Sequence, residues 1–393
     1  MITISPTTRV RRSPYFDATV AAGVASMTTY NGMLMPTSYG DPEAEYHRLT
    51  TGVSMWDVAC ERQIQLRGRD ARHLAQILTT RDVSKCVDGQ GRYVAMCNHR
   101  GVIINDPVLM KIDNDCYWFS IADSDVGLWA GAVAAERGLA VDVSEPDVSP
   151  LAVQGPKAED VVASLLGDWV RGLRYFGFAD AELEGIPLKV ARSGWSKQGG
   201  FELYLLDGTR GVELWNLVGE AGAPWKIGPG CPNLTERVEN GLLSWGGDTD
   251  TDTNPYEVRL GRFVDLDVPD DVIGIAALRR IAAEGPTRHQ LGIVLDGDEP
   301  RPAHARWHTV RRDGEVVGDM TNGTWSYKLE RNIGFGLLSV ACTVGDRVHI
   351  DTDETQLAGI VTDIPFQRTD ATNQPGDPQP HARHGDVTRR KKR

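Results

Sequence analysis

The sequence predicts an α+β protein of more than one domain, with a C-terminal part built only of β-strands. The chain has 393 residues, which exceeds what one hydrophobic core usually serves, so two to three domains are expected. Helix-like and strand-like patterns of apolar residues are mixed before Gln290, and from there the chain changes to short strands with turn signals.

The elements follow from local periodicity and composition. In chain order, we expect a helix over 44–49, a half-buried strand over 62–66, a helix from about 69 to 79, an apolar strand within 101–111 that meets a break at Asn105-Asp106-Pro107, and an aromatic strand over 116–121. A linker is expected at 145–150. Beyond it, helices are expected over 157–166 and 211–221, and strands over 187–191 and 201–205.

Turn signals and polarity organise the C-terminal region. Arg312-Asp313-Gly314-Glu315 and Val344-Gly345-Asp346 are typical of the tight connections in a small all-β domain. The residues after Phe366 are too polar to pack, so 367–393 is predicted to be a disordered polar tail.

Charge and cysteine usage limit the partners and the compartment. The 42 basic and 54 acidic residues leave a net charge of −12, which disfavours binding to nucleic acid or to anionic membranes. The chain contains no run of eighteen apolar residues, which is the length needed to cross a bilayer. Six cysteines without a C-x-x-C spacing fit a reducing compartment. We therefore expect a cytoplasmic protein with no nucleic-acid or membrane partner; its oligomeric state is left open.

Several familiar site motifs are missing or incomplete. The chain has no G-x-G-x-x-G, Walker A or G-x-S-x-G motif. Asp248, Asp250 and Asp252 imitate the start of a calcium loop, but Thr253 and Arg259 stand where that loop needs Gly and Glu. No metal site is predicted.

Three segments place a carboxylate or an aromatic side chain beside glycine-rich turns, where the backbone can approach a ligand closely. They are Asn105-Asp106-Pro107, residues 193–202 (Ser-Gly-Trp-Ser-Lys-Gln-Gly-Gly-Phe-Glu), and Arg237-Val238-Glu239-Asn240-Gly241 followed by Trp245.

Together with other motifs in the same order, these segments resemble the folate-dependent aminomethyltransferase superfamily, which includes the T-protein of the glycine cleavage system. The resemblance covers nearly all of residues 13–366. Its further landmarks are Met35-Pro36, Trp56-Asp57-Val58, Gln154-Gly155-Pro156, Ile273-Gly274, Asn332-Ile333-Gly334 and Pro365-Phe366. Within the superfamily, Tyr30-Asn31, residues 56–63, residues 191–200 and Gly230-Cys231-Pro232-Asn233 are most similar to the dimethylsulfoniopropionate demethylase branch.

The resemblance implies a three-domain ring around a central channel that holds tetrahydrofolate, with mostly antiparallel sheets and flanking helices. The implied units are a discontinuous domain of 1–50 and 147–283, a second domain of 51–146 that carries Asn105-Asp106, and a C-terminal β domain of 284–366.

It also implies roles for individual side chains. Asp106 is the expected catalytic residue, and Glu202 is expected to accept a pair of adjacent pterin N–H groups, which a carboxylate can do in bidentate fashion. Phe201, Tyr93, Lys197, Arg237 and Glu239 are the further expected folate-binding residues. Trp195, Trp245, Tyr30 and Arg62 are expected at the substrate, because a methylated cation is well recognised by aromatic faces and its carboxylate by a basic group.

The implied activity is methyl transfer from a small methylated donor, first of all dimethylsulfoniopropionate, to N5 of tetrahydrofolate. Demethylation of another N-methyl compound or of an aryl methyl ether, and aminomethyl transfer, remain alternatives. A non-catalytic alternative is a folate-binding protein of iron–sulfur cluster maintenance, for which Cys231 is the candidate reactive thiol.

Overall fold

The structure is a computed structural model that describes residues 7–303 and 306–366. It confirms the α+β class, the largely antiparallel sheets and the C-terminal all-β domain. The helices of the described residues are α1 (Phe16–Ala21), α2 (Pro42–Thr51), α3 (Ala71–Leu78), α4 (Val126–Glu136), α5 (Ala158–Leu166), α6 (Gly211–Gly222), α7 (Leu234–Glu239) and α8 (Ile275–Glu284).

The strands, also numbered in chain order, build three larger sheets and two short hairpins. They are β1 (Ser26–Tyr30), β2 (Met33–Ser38), β3 (Ser54–Asp57), β4 (Gln63–Arg67), β5 (Gln90–Tyr93), β6 (Met96–Cys97), β7 (Ile103–Asn105), β8 (Val108–Asp113), β9 (Cys116–Ser120), β10 (Asp142–Ser144), β11 (Ser149–Gln154), β12 (Phe178–Leu183), β13 (Ile186–Ala191), β14 (Gly200–Leu205), β15 (Gly228–Gly230), β16 (Arg288–Leu295), β17 (His308–Arg312), β18 (Glu315–Met320), β19 (Thr324–Ser326), β20 (Arg331–Ser339), β21 (Arg347–Asp351) and β22 (Gln356–Thr362).

A six-stranded sheet in the order β12-β13-β14-β11-β3-β15 carries a large apolar core on one face. Successive side chains of a strand point to opposite faces. Along β14, Phe201, Leu203 and Leu205 therefore enter this core, whereas Glu202 and Tyr204 lie on the other face. The core is covered by α5 and α6, which pack against each other.

A five-stranded sheet in the order β10-β4-β9-β8-β5 lies against the first sheet. Its outer core is closed by α3 and α4, and its inner face meets Tyr204 through Met110 and Trp118. A backbone bridge between Gln90 and Gly177 joins the two sheets at one edge. The space between them is therefore bounded by Glu202 and Tyr204 on one side.

The C-terminal strands close into a barrel, because β16 pairs with both β22 and β20. Gly334 explains part of the Asn-Ile-Gly motif, since a Cβ there would stand 2.1 Å from the Asn322 carbonyl oxygen. A larger residue at this position would push β20 away from the segment that precedes β19.

Most of the expected elements are present. The expected helices at 44–49, 69–79, 157–166 and 211–221 correspond to α2, α3, α5 and α6, and the expected strands at 62–66, 116–121, 187–191 and 201–205 to β4, β9, β13 and β14. The segment 101–111 forms two strands, β7 and β8, because Pro107 has no N–H to continue a ladder. The last two residues of the expected linker 145–150 already belong to β11.

The division into three domains remains a prediction. In the sheets, β3 lies in the 51–146 part of the chain but pairs with β11 and β15 of the 147–283 part. The tail 367–393 lies outside the described residues. Within the described part of the chain, no helix has the length and apolarity needed to cross a membrane.

The acidic loop 248–254 joins three parts of the molecule through arginines. Asp248 pairs with Arg237 of α7 at 2.6 Å, Asp250 with Arg288 of β16 at 2.7 Å, and Asp252 with Arg100 near β7 at 2.9 Å. Although burial acts to raise the pKa of Asp250, the bonds from Arg288 and Thr253 hold it below its ordinary range. The three aspartates thus serve as ion-pair partners.

Candidate active site

Four polar side chains meet where strands of the different sheets end. Tyr30 ends β1, Glu61 lies between β3 and β4, Tyr93 ends β5, and Asp106 lies between β7 and β8. Each side chain keeps some solvent-accessible surface although protein surrounds it closely. We infer from these two properties that the four side chains face a shared interior space, called the cavity below, which is the form expected of a small-molecule site.

Asp106 is bonded to Tyr93, whose hydroxyl donates to its Oδ2 at 2.6 Å. Burial raises the pKa of Asp106 to about 7, although the Tyr93 bond acts to lower it, and the charge of Asp248 adds to the rise. A carboxyl with such a pKa exchanges its proton near neutral pH and is suited to acid–base work.

The turn that carries Asp106 is held by the neighbouring amide of Asn105. Its Nδ2 donates to the Ala122 carbonyl at 2.9 Å and to Ser124 Oγ at 2.8 Å, and its Oδ1 accepts from the Ala122 N–H at 3.1 Å. The amide is used both as donor and as acceptor, so a carboxylate could not replace it without losing the two donated bonds.

Glu202 is buried on the inner face of β14. Ser193 Oγ and Tyr204 Oη both donate to its Oε2, at 2.5 and 2.9 Å. Burial raises the pKa of Glu202, against the lowering effect of these two bonds. Because both protein donors end on one oxygen, Oε1 retains the capacity to accept from a ligand.

Glu61 adds a third carboxyl to this group. Burial raises its pKa well above the usual range, and the charges of Glu202 and Asp106 raise it further. Sequence reasoning did not single out Glu61, although it lies inside the 56–63 motif. Tyr204 was also missed; its position two residues after Glu202 on a strand is a signal that would have placed both on one face.

The glycine-rich loop 193–200 is shaped by Gln154 of the Gln-Gly-Pro motif. Its Nε2 donates to the carbonyls of Ser193 and Phe201, and its Oε1 accepts from Ser196 Oγ at 2.8 Å. Gly194 has φ +145°, and a Cβ there would stand 2.0 Å from Gln154 Nε2. Only glycine fits this approach, which holds Ser193 in position to bond Glu202.

Glu236 fixes the outer side of the same loop. Its Oε1 accepts from the Lys197 N–H and from Gln198 Nε2, each at 2.9 Å. The Lys197 side chain itself is exposed. The loop is thus anchored from two sides, by Gln154 and by Glu236.

Trp195 and Arg237 form a second group beside the loop. The Arg237 guanidinium lies 5.8 Å from the centre of the Trp195 ring and donates to Asp248 Oδ2 at 2.6 Å. The Trp195 indole N–H donates to the Leu243 carbonyl at 3.3 Å. Both residues already have protein partners that hold them in place.

The remaining expected site residues have contacts with other protein groups. Trp245 packs against the same apolar cluster as Tyr93, and its indole N–H donates to the Ile103 carbonyl at 3.4 Å. Arg62 pairs with Glu145 at 2.5 Å. Glu239 accepts from Tyr46 and Ser326, and Phe201 is buried in the core behind the sheet. The structure brings Tyr30, Tyr93, Asp106 and Glu202 to the cavity and gives Glu239, Arg62 and Phe201 contacts elsewhere.

Comparison with known proteins identifies the family. Residues 15–268 match the GCVT N-terminal domain, and residues 288–367 match the glycine cleavage T-protein C-terminal barrel domain. The chain belongs to the glycine cleavage T-protein family. The resemblance recognised in the sequence motifs is confirmed.

Relatives in this family differ in their named activities. The dimethylsulfoniopropionate demethylase DmdA of Ruegeria pomeroyi is 43% identical over 338 residues, which are 86% of this chain and 92% of that protein. An aminomethyltransferase of Symbiobacterium thermophilum is 30% identical over 92% of this chain and 98% of its own length. The glycine cleavage aminomethyltransferase T of Bartonella henselae has the same T-protein fold, with a TM-score of 0.79 at 21% identity over 91% of this chain and 98% of that one.

Proposed function

We propose that this T-protein family member is a tetrahydrofolate-dependent demethylase whose methyl donor is dimethylsulfoniopropionate. The observation that carries the proposal is the 43% identity to DmdA along most of both chains, against 30% to the aminomethyltransferase. The interior cavity with its three carboxyls supports a small cationic donor, because carboxylates offset a buried positive charge.

The residues of the cavity fit a reduced folate. Glu202 is buried, is oriented by Ser193 and Tyr204, and has acceptor capacity left at Oε1. A pterin edge presents adjacent N–H donors, and Oε1 has two lone pairs with which to accept from them, whereas Oε2 already holds both protein donors. Tetrahydrofolate would supply the nucleophilic nitrogen N5, and Glu202 would fix its orientation.

The reaction is a displacement at a methyl carbon. The carbon–sulfur bond breaks, its electron pair stays on sulfur as a neutral thioether, and a carbon–nitrogen bond forms from the N5 lone pair. The N5 proton is released. Because the leaving group is neutral, no acid has to protonate it, and alignment of donor and acceptor supplies much of the rate.

Asp106 is suited to take up the released proton. Its pKa near 7 lets the ionised form exist at neutral pH and still makes it a competent base. The Tyr93 hydroxyl holds Oδ2, so the carboxyl has one orientation. As an anion, Asp106 also stabilises positive charge while the methyl group moves.

Aromatic recognition of the donor is proposed for Tyr30 and Tyr93, which face the cavity, with Trp195 and Trp245 as further contacts. Trp195 lies beside Arg237, so an added cation would meet the ring on the side away from that guanidinium. Arg62 stays the proposed partner of the donor carboxylate; in the structure its guanidinium pairs with Glu145 at 2.5 Å, and its buried Nε has no partner among the described residues.

One sequence comparison and one structural observation bear on the alternative functions. Aminomethyl transfer is favoured by the aminomethyltransferase relatives, at lower identity. A reactive Cys231 is disfavoured, since its buried thiol faces Glu45 Oε2 at 3.7 Å and burial raises its pKa. The six cysteines are free, which supports the proposed reducing cytoplasm.

Incubation of the protein with tetrahydrofolate and a panel of donors tests the function. We expect 5-methyltetrahydrofolate and a thioether from the sulfonium, detected by mass spectrometry, and little product from a quaternary amine, an aryl methyl ether or an aminomethyl donor. Turnover of one of those donors alone would assign the chain to the corresponding alternative. Retention of folate without any product would assign it to the binding proteins.

A further inference from the structure

Glu61 is a half-buried residue whose carboxyl group has no separate role in the mechanism above. It lies in the connection between β3 of one sheet and β4 of the next. The hydrogen bond that reaches it comes from Gln63 Nε2 at 2.7 Å and ends on its backbone carbonyl. Among the described residues, no hydrogen bond or ion pair holds the carboxyl oxygens of Glu61, so they remain able to interact with a ligand.

The neighbours of Glu61 are acidic or phenolic. Its charge acts on Tyr30 and on Tyr204, and the carboxyls of Glu202 and Asp106 act on it in turn. Glu202 has two donors and Asp106 has one. Three carboxyl groups in one desolvated space repel one another unless protons or a cation compensate them.

We propose that Glu61 is the residue that selects a positively charged methyl donor, acting as counter-ion to a sulfonium or ammonium centre in the cavity. This inference rests on the proposed function and deepens it. A sulfonium carries its charge inside methyl groups that donate no strong hydrogen bonds, so it is recognised by Coulomb attraction. A carboxylate without fixed hydrogen-bond donors meets that requirement better than Glu202, whose geometry is already determined.

The proposal also predicts proton release. With the cavity empty, repulsion within the cluster favours a protonated carboxyl, and a bound cation favours the ionised form. Donor binding near neutral pH should thus expel up to one proton. The thioether product has a neutral sulfur and brings no positive charge, so it should leave the proton in place and dissociate readily.

The test compares Glu61→Gln, which keeps the shape and removes the charge, with Glu61→Asp, which keeps the charge. Glu182→Gln on β12 is a matched control, because Glu182 is exposed on the same sheet system. Affinities for the sulfonium, for the thioether and for tetrahydrofolate are measured by calorimetry in two buffers of different ionisation enthalpy, which gives the protons released.

We expect Glu61→Gln to weaken sulfonium binding at least tenfold, to leave thioether and folate binding within twofold, and to reduce proton release. Glu61→Asp should retain most of the preference for the sulfonium over the thioether.

Unchanged sulfonium affinity and proton release in Glu61→Gln would overturn the role of Glu61 while leaving the proposed function intact. If Glu61→Gln fails to fold, the absence of proton release from the wild-type protein on sulfonium binding overturns it instead. A wild-type protein that binds folate but ignores every sulfonium would refute the proposed function itself.

Discussion

The chemistry of the cavity depends on how each carboxyl is held. Glu202 is oriented by Ser193 and Tyr204, and Asp106 by Tyr93, whereas no hydrogen bond or ion pair among the described residues holds the Glu61 carboxyl. Burial raises the pKa of all three. Because they are held differently, we assign ligand orientation to Glu202, proton uptake to Asp106 and charge selection to Glu61.

Glu202→Gln should weaken tetrahydrofolate binding by about 2 kcal/mol or more, roughly thirtyfold. With the amide oxygen held by Ser193 and Tyr204, its NH2 group would oppose a pterin donor. Calorimetric titration with tetrahydrofolate measures the change, with Glu182→Gln as the control. Wild-type affinity in Glu202→Gln would remove Glu202 from the folate site.

The ionisation of Asp106 should appear in the pH dependence of turnover. Because its pKa is raised to about 7, kcat/KM should rise with pH through an apparent midpoint near 7, shared with the coupled carboxyls. Tyr93→Phe removes a bond that lowers this pKa, so the midpoint should move to higher pH. Asp106→Asn should lower kcat/KM and flatten the rise. An unaltered profile in Asp106→Asn would rule Asp106 out as the titrating base.

At the scale of elements, the loop between β13 and β14 transmits the fold to the site. The sequence predicted both strands and the importance of residues 193–202, because periodicity and glycine content are local signals. It did not predict that Gln154, on β11, would anchor the loop, or that Glu236, on α7, would hold its other side. Such contacts depend on strand order, which no local pattern contains. Helix α4 and strands β3 and β11 were missed for a related reason: they are buried on both sides or rich in small residues, so their periodicity is weak.

Gly194→Ala should destabilise the protein and weaken folate binding, because the added Cβ collides with Gln154 and displaces Ser193. We expect a cost of about 2 to 3 kcal/mol from overpacking and backbone strain together. Gly199→Ala is the matched control, since Gly199 has φ +79° but no atom within 4 Å of the new Cβ. It should cost about 1 kcal/mol. Thermal unfolding measures the loss of stability in each variant, and equal melting temperatures for Gly194→Ala and Gly199→Ala would contradict the steric role of Gln154.

At the scale of the molecule, Asp248 of the loop 248–254 connects α7 with the C-terminal barrel. Arg237 and Asp248 form an ion pair that is almost fully buried, and Thr321 and Asn322 add bonds to Asp248 from the barrel. The sequence correctly indicated the family architecture from motifs in order. It also singled out Asp106, Tyr93, Tyr30 and Glu202; the structure brings these side chains near one another, and their roles stay predictions. It expected Arg237 and Glu239 at the folate, and that expectation stays a prediction. The structure adds an ion pair of Arg237 with Asp248 and bonds to Glu239 from Tyr46 and Ser326, which no local motif contains.

Asp248→Ala should lower the melting temperature by on the order of 10 °C, since an unpaired buried guanidinium costs about 3 to 5 kcal/mol. Asp252→Ala, which breaks the exposed pair with Arg100, should change it little. Differential scanning calorimetry compares the two. Similar small shifts in both variants would show that the buried pair does not stabilise the assembly.

In the proposed reaction, a methyl group passes from a sulfonium to tetrahydrofolate inside this cavity. The most direct measurement uses dimethylsulfoniopropionate with deuterated methyl groups and follows the label by mass spectrometry. We expect one trideuterated 5-methyltetrahydrofolate for each thioether formed, and less of this product from Asp106→Asn and from Glu202→Gln than from the wild-type protein. Formation of the thioether without labelled folate would contradict direct methyl transfer. Formation of labelled folate by both variants at the wild-type level would contradict the roles of Asp106 and Glu202.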